Sequence, residues 1–469
     1  MAIKQQIHFN TSSSYFAGFL QSLIAESAVI GSVTQTEGLI TLLLDTNDAD
    51  ALKRFAELSQ KYLPHSLFLG DIQTMQENIE VHSGDFHSQS YPLALCPRCL
   101  EMLSDPASEH YLDDTLRCDH YVNTPQEMGS DVSHFSPHYS EGDTLLVVDS
   151  QRLARLFIMT EEEQKALFSI EKPSLKVTIL DEDLKNLTGR NFLFIKAPFD
   201  MKSTLVALNA KDGEVPYLFF RGDDTKVVVV QKNTTVIKDT KGICSPLEML
   251  NENPLYNRVQ NIKKEAALSE ALIAYLSTQK QISFLVSEKK ETREVLQFNN
   301  FVLQEVLQGM LLDTTRSKML VNFEEKYPHI VAELRENSNF DLWQTLACIL
   351  ELKGRDFEAC SDKALEFRGN GGLKIDMFYN EKGFDYISFL GSVMSFKLAG
   401  TEEHYLAYSV FEAFGDLTIS TLTQLKAKYK IEHFIMLGDM FANPVLYSRI
   451  LSKFQLSNPY FSKGFALDD

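Results

Sequence analysis

The chain has 469 residues, 44% of them hydrophobic, and a formal net charge of −19. This length suits roughly two to four domains, and the hydrophobic share excludes a disordered polymer. The acidic balance argues against nucleic acid, whose phosphates select Lys/Arg clusters, and fits either simple solubility or a partner with basic patches.

Residues 1–75 read by periodicity. "IKQQIHFN" alternates as a strand, and "SSYFAGFLQSLIAES" carries apolar residues at helical spacing behind serine caps. "AVIGSVTQTEGLITLLLDT" predicts two strands around a turn at Glu37-Gly38, "DADALKRFAELSQKYL" a second capped helix, and "HSLFLGDI" a closing strand. The order β-α-β-β-α-β is that of a ferredoxin-like split unit. The opening "MAIKQQIHFN" lacks an apolar h-region, and no apolar stretch reaches the ~18 residues of a membrane helix, so a cytoplasmic protein without membrane insertion is expected.

Residues 76–143 change character. Six of the 11 histidines fall here with three of the 6 cysteines, among many Ser, Asp and Pro residues. Such a segment has little with which to build an apolar core, and a metal would explain how it stays ordered. Cys96 and Cys99 form a C-x2-C knuckle, and Cys118 follows after 18 residues, but Tyr121 stands where a second knuckle would end. Three thiolates at this spacing point to structural zinc, which prefers soft ligands in a tetrahedron. His120 is the first candidate for the fourth ligand, with His110, His134 and His138 as alternatives; the bland reading is a decayed knuckle with spare thiols. A second site from His134 and His138 with His82 or His87 competes with ordinary surface histidines. Cys244, Cys348 and Cys360 read as buried thiols.

Residues 144–250 return to strands ("TLLVVDS", "SLKVTIL", "NFLFIKA", "TKVVVVQ") with one expected helix, "TEEEQKALFS". From 251 to 469 the pattern is largely helical, as in "EEHYLAYSVFEAF", where Leu406, Val410, Phe411 and Phe414 share one face; a strand "HFIMLG" follows.

This order of blocks resembles the HypF-type carbamoyltransferases, which help build the cyanide ligands of nickel-iron hydrogenases. The finger beginning "CPRCLEMLSDPA" carries the most specific likeness. "RLARLFIMTEEEQKALFSIEKPSLKVTI" is similar to part of the family's YrdC-like nucleotide-binding domain. "FDYISFLGSVMSFKLAG", "FIMLGDMFANPVLYSRIL" and "GFAL" are similar to the end of its Kae1-like (actin-like) domain. The resemblance covers most of the chain, is weakest over about 180–320, and implies an α+β and α/β multidomain protein: an acylphosphatase-type ferredoxin-like unit (1–75), a zinc-finger segment (76–143), a YrdC-like remnant (144–250) and a Kae1-like domain (251–469). The chain is shorter than typical members, so missing pieces are expected.

The departures from the family pattern carry the functional expectation. Its acylphosphatase unit holds an acyl phosphate with a G-x-G-F-R loop; here "SSSYFAG" puts Tyr15 at a glycine and Ala17 at the arginine, with Gln35 at the water-orienting asparagine. The lysine expected before "LLVV" falls near Glu141 or Asp143, and no S-x-N motif follows. The family's iron is held by an H-x3-H pair and an aspartate; here Glu325 and His329 match the pair, Pro328 interrupts a helix between them, and Ser462 replaces the aspartate. "SGG" becomes Leu437-Gly438-Asp439, an acid beside a phosphate site.

Losses in three separate sites predict no catalytic and no cofactor-binding residues. The expected role is a non-enzymatic accessory or chaperone protein in nickel-iron hydrogenase maturation, partnered by a hydrogenase subunit or maturation proteins, with Cys96, Cys99, Cys118 and His120 holding zinc. The alternative is a transferase of altered chemistry using carbamoyl phosphate or a nucleotide. A tRNA-directed role, as in relatives of the last two domains, is disfavoured by charge.

Overall fold

The computed structural model describes residues 1–88, 91, 93–118, 134–222, 227–231, 234–239, 243–380, 383–454 and 458–468. It is a mixed α+β chain of two compact units: Met1–Pro246 with Lys463–Leu467, and Leu247–Ser462 with Asp468. Among the described residues no helix is long and apolar enough to cross a membrane.

The first unit opens with β1 (Ala2–Phe9), α1 (Tyr15–Ser27), β2 (Gly31–Thr36), β3 (Leu39–Asp45), α2 (Ala49–Tyr62) and β4 (Leu69–Glu77), the element order read from the sequence. The strands form one sheet in the order β2-β3-β1-β4, antiparallel throughout. Glu37 (φ 40) and Gly38 (φ 79) both take left-handed conformations, as a tight hairpin turn requires. Alternation puts Ile7 and Phe9 of β1 and Ile40, Leu42 and Leu44 of β3 into one apolar cluster with Phe16, Phe19, Leu20 and Leu23 of α1. Each such side chain stabilises the fold by about 1.5–3 kcal/mol when fully buried.

The closing strand begins later and runs further than "HSLFLGDI" suggests. Residues 65–68 are engaged elsewhere: the His65 carbonyl accepts from Ile170 N at 2.8 Å, and Ser66 bonds Glu171. Beyond Ile72 the strand is polar because it lies at the sheet edge and is largely exposed, so no apolar pattern marked it.

After α3 (Pro97–Ser104), a second sheet contains β5 (Phe135–Ser136), β6 (Thr144–Val147), β7 (Phe157–Ile158), β8 (Ser174–Ile179), β9 (Phe192–Lys196), β10 (Tyr217–Phe220), β11 (Val227–Gln231) and β12 (Thr234–Asp239). Its order is β12-β11-β8-β9-β6-β10-β5, with β7 beside β8. The expected helix is α5 (Glu161–Leu167), with Thr160 and Glu163 forming a capping box, preceded by the short α4 (Leu153–Leu156). Two further helices were not expected, α6 (Glu182–Thr188) and α7 (Met201–Asp212). Their buried residues, such as Thr188, Ser203 and Thr204, are partly polar, so no apolar stripe announced them. Their caps were readable: Asp181 accepts from Leu184 N, Gly189 closes α6 in the left-handed region, and Asp200 pairs with Ser203.

The second unit is less helical at its start than expected. After α8 (Pro254–Glu265) come β13 (Glu270–Tyr275), β14 (Ser283–Glu288) and β15 (Glu291–Gln297). Nearly every residue of β13 and β14 is buried, and a short run covered on both faces lacks the period-2 signal. The sheet order is β15-β14-β13-β18, with β18 (Phe434–Leu437) parallel to β13. Between them lie α9 (Leu303–Leu312), α10 (Thr314–Lys326), α11 (Pro328–Glu336), α12 (Leu342–Ile349), α13 (Phe357–Leu365), the small hairpin β16 (Tyr379–Asn380) and β17 (Gly383–Phe384), α14 (Tyr386–Leu398) and α15 (Glu403–Tyr429); α16 (Pro444–Lys453) follows. Leu406, Val410, Phe411 and Phe414 of α15 are all buried as their spacing predicts, and Trp343 stacks on Phe411 with ring centroids 5.3 Å apart.

Candidate metal centre and the family-matched sites

Cys96 is the N-cap of α3, with Pro97 at the first helical position, and its Sγ accepts from Cys99 N at 3.3 Å. A C-x2-C pair on a helix N-terminus therefore points both sulfurs to one side. Cys118 joins them: the three Sγ atoms lie within 4.8 Å of one another, and all three residues are buried. Among the described residues they are the one group of three His, Cys, Asp or Glu donors gathered this closely. Hydrogen bonding to Cys118 and Cys99, then burial, pushes the Cys96 thiol far above its usual range. Three sulfurs crowded in a buried site cannot all ionise alone, and a divalent cation is what reverses that preference. The donor set fits a soft metal.

His120 lies outside the described residues. His110 is committed elsewhere, its Nδ1 3.0 Å from Asp113 Oδ2; Asp113 is held down to about 2 by hydrogen bonds from Thr115 and then His110. His82, His87, His134 and His138 are exposed and gather into no second cluster among the described residues. The cysteines are not a separate module: Cys96, Cys99, Cys118 and Leu93 belong to the same apolar cluster as Phe9 and Phe55.

In the loop before α1, which leads into the stretch matched to the family's anion loop, three successive amides are engaged within the protein. Ser12 N donates to Ser245 Oγ at 2.9 Å, Ser13 N to Thr11 Oγ1 at 3.2 Å, and Ser14 N to Tyr91 Oη at 2.9 Å. Thr11 and Ser13 in turn donate to the Ile243 carbonyl, each at 3.0 Å. Gln35 Nε2 donates to Ser13 O at 3.0 Å, a structural clamp where an asparagine would orient water. Ala17 is fully buried. Tyr15 points inward, its Oη 2.7 Å from Glu171 Oε1. Glu171, Tyr91 and Ser245 were not singled out by the sequence, because each lies far along the chain from the loop it serves.

The acids near the expected YrdC-like lysine do meet cations. Glu141 pairs with Arg190 at 3.2 Å and Asp143 with Arg221 at 3.1 Å. Each arginine thus faces a carboxylate of this chain. In the second unit Glu325 and His329 are not one helical face: α10 stops at Lys326 and α11 starts at Pro328. His329 Nε2 is 2.9 Å from Glu351 Oε1 instead. Ser462 Oγ donates to Glu265 at 2.8 Å. Asp439 accepts from Thr278 N at 2.7 Å and from Thr278 Oγ1 at 2.5 Å, so its carboxylate holds the turn after β13.

No family model matches the sequence. Protein HydE of Wolinella succinogenes is 23% identical over 343 residues, which span 63% of this chain and 61% of that protein. The crystal structure of full-length HypF in the phosphate- and nucleotide-bound form superposes with a TM-score of 0.57 at 11% identity, covering 100% of this chain and 96% of that chain. T. kodakarensis HypF superposes with a TM-score of 0.61 at 10% identity, covering 99% and 96%. The likeness in fold spans nearly the whole of this chain and of both HypF chains. In fold, this chain is a HypF-like protein.

Proposed function

We propose that this chain is a non-catalytic HypF-like accessory protein of nickel-iron hydrogenase maturation, acting as a chaperone or docking factor for a hydrogenase subunit or a maturation protein in the cytoplasm. On this reading residues 1–75 are an acylphosphatase-type unit without its anion site, 76–143 a finger holding structural zinc through Cys96, Cys99, Cys118 and His120, 144–250 a YrdC-like remnant, and 251–469 a Kae1-like domain. The observation that carries it is the loop before α1. The Ser12, Ser13 and Ser14 amides leading into the matched loop are satisfied by Ser245, Thr11 and Tyr91, and an alanine stands at the position matched to the arginine that would meet a phosphate.

The test has two arms. Zinc-loaded protein should neither release phosphate from carbamoyl phosphate nor bind ATP, and affinity purification from native cells should retain a hydrogenase subunit or maturation factor. Turnover of carbamoyl phosphate would instead establish the altered-transferase reading, while silent protein that retains no such partner would defeat the docking role.

A further inference from the structure

The family resemblance implies an iron ion beside His329, and the residues around that histidine do not fit one. A metal needs several donors converging on one point. Glu325 lies on a different helix and is exposed. His329 spends its Nε2 on Glu351, and the cysteines remain the one close donor group among the described residues.

What stands beside His329 is a cation of the chain itself. The Lys397 side chain is only 4% exposed; its Nζ lies 2.7 Å from Glu351 Oε2 and 2.8 Å from Glu403 Oε1. The ammonium also lies 5.5 Å from the centre of the Tyr327 ring, whose hydroxyl donates to the Lys397 carbonyl at 3.2 Å. Glu351 uses both oxygens, one for the imidazole and one for the lysine. We infer that His329 belongs to a lysine-centred cluster in which the Lys397 ammonium, and not a metal ion, is the resident cation tying four elements together.

Those elements are α11 through His329, the turn after α12 through Glu351, the last turn of α14 through Lys397 and the first turn of α15 through Glu403. An almost fully buried ammonium is stable only when its charge is met by partners, and here two carboxylates and an aromatic face meet it. Burial alone would lower the lysine's affinity for its proton, but the bonds to Glu351 and Glu403 outweigh it and the net shift is upward. The lysine therefore keeps its charge at neutral pH. Glu351 adopts a left-handed backbone (φ 56) just past the C-cap of α12.

The inference is independent of the docking role and is tested on zinc-loaded, full-length protein. Iron(II) is added anaerobically, excess is removed and bound iron is measured, with His329→Ala as the control; hydrogen exchange is followed at residues 327–331, 350–352 and 397–404. Wild type should retain no stoichiometric iron, and a chelator should leave exchange in these segments unchanged. Lys397→Met should speed their exchange about tenfold or more, equivalent to ~1.4 kcal/mol of lost protection, and Lys397→Arg should restore most of it. If the methionine variant does not fold while the arginine variant does, the requirement for a cation is met in the same sense, and Glu403→Gln then supplies the milder exchange measurement. Stoichiometric iron lost in His329→Ala overturns the inference, as does unchanged exchange in folded Lys397→Met or loss of protection here on chelation.

Discussion

Tyr15 donates from its hydroxyl to Glu171 at 2.7 Å, joining residues 156 positions apart in a fully buried pair. The same carboxylate accepts from Ser66 Oγ and, at 3.0 Å, from Leu67 N, so the chain's own donors reach both of its oxygens. Burial, and then the charge of Glu171, raises the Tyr15 phenol well above its ordinary pKa. Tyr15, at a position that by resemblance matches a loop glycine of the HypF-type enzymes, is here an internal strut. Removing one donor from a buried carboxylate costs about 1–3 kcal/mol. Tyr15→Phe should lose stability in that range and Glu171→Ala more, read as faster hydrogen exchange across Tyr15–Ser27.

Restoring the family's residues should not restore chemistry. Tyr15→Gly with Ala17→Arg reinstates two loop residues, yet Ser12, Ser13 and Ser14 amides stay committed to Ser245, Thr11 and Tyr91. The double variant is expected to show no acyl phosphate hydrolysis and to be less stable than the parent. Detectable turnover by phosphate release would mean that the loop opens more readily than its hydrogen bonds indicate.

Metal removal should act on more than the finger. The cysteines share a core with Phe9 and Phe55, so a chelator or Cys96→Ser should raise exchange at 96–118 and also in α1 and β1. Zinc in small fingers contributes ~10–16 kcal/mol to folding; a loss confined to 96–118 would show that the cluster does not transmit it. Metal analysis of purified protein should give one zinc per chain, and Cys118→Ser should abolish it.

Acid should weaken the second unit through named carboxylates. Hydrogen bonds from Arg355 hold Glu333 below its ordinary pKa, and hydrogen bonds from Lys397 do the same for Glu351 and Glu403. With folded values depressed, their contribution is fully present above the unfolded carboxylate pKa of about 4.3 and is lost as pH falls through the folded values. Each pair is partly exposed, so solvent screening keeps the individual effects small. Trp343 is the single tryptophan of the chain and is buried in the second unit, so its fluorescence reports that unit alone. Its thermal midpoint should fall below about pH 4, less steeply in Glu351→Gln.

Gly438 has φ 101, and a Cβ there would lie 2.0 Å from the Leu276 carbonyl oxygen. Backbone strain alone costs about 1–3 kcal/mol at such a position, and the clash with backbone adds to it. Gly438→Ala should lower the Trp343 midpoint substantially, whereas Gly400→Ala, with open space around its Cβ position, should cost only the φ strain.

The sequence by itself determined the local alphabet. Alternation in β1 and β3, the caps of α2 and α5, the Glu37-Gly38 turn, the apolar face of α15 and the C-x2-C knuckle were readable because their causes lie within a few residues. It also gave the residue types at the positions that the resemblance matches to the HypF-type sites, since an alanine at position 17 or a serine at 462 needs no coordinates to be read. Tertiary structure alone decided what filled those places. Glu171 reaching Tyr15, Ser245 and Tyr91 taking the loop amides, Asp439 clasping Thr278, and Lys397 lying between Glu351 and Glu403 all join residues that no spacing rule connects. The strands β13 and β14 belong with them, because a run buried on both faces shows its period only once its neighbours are in place. Local order follows from the short-range geometry of the chain, whereas the choice of partner for a buried polar group follows from which distant segments exclude water from it.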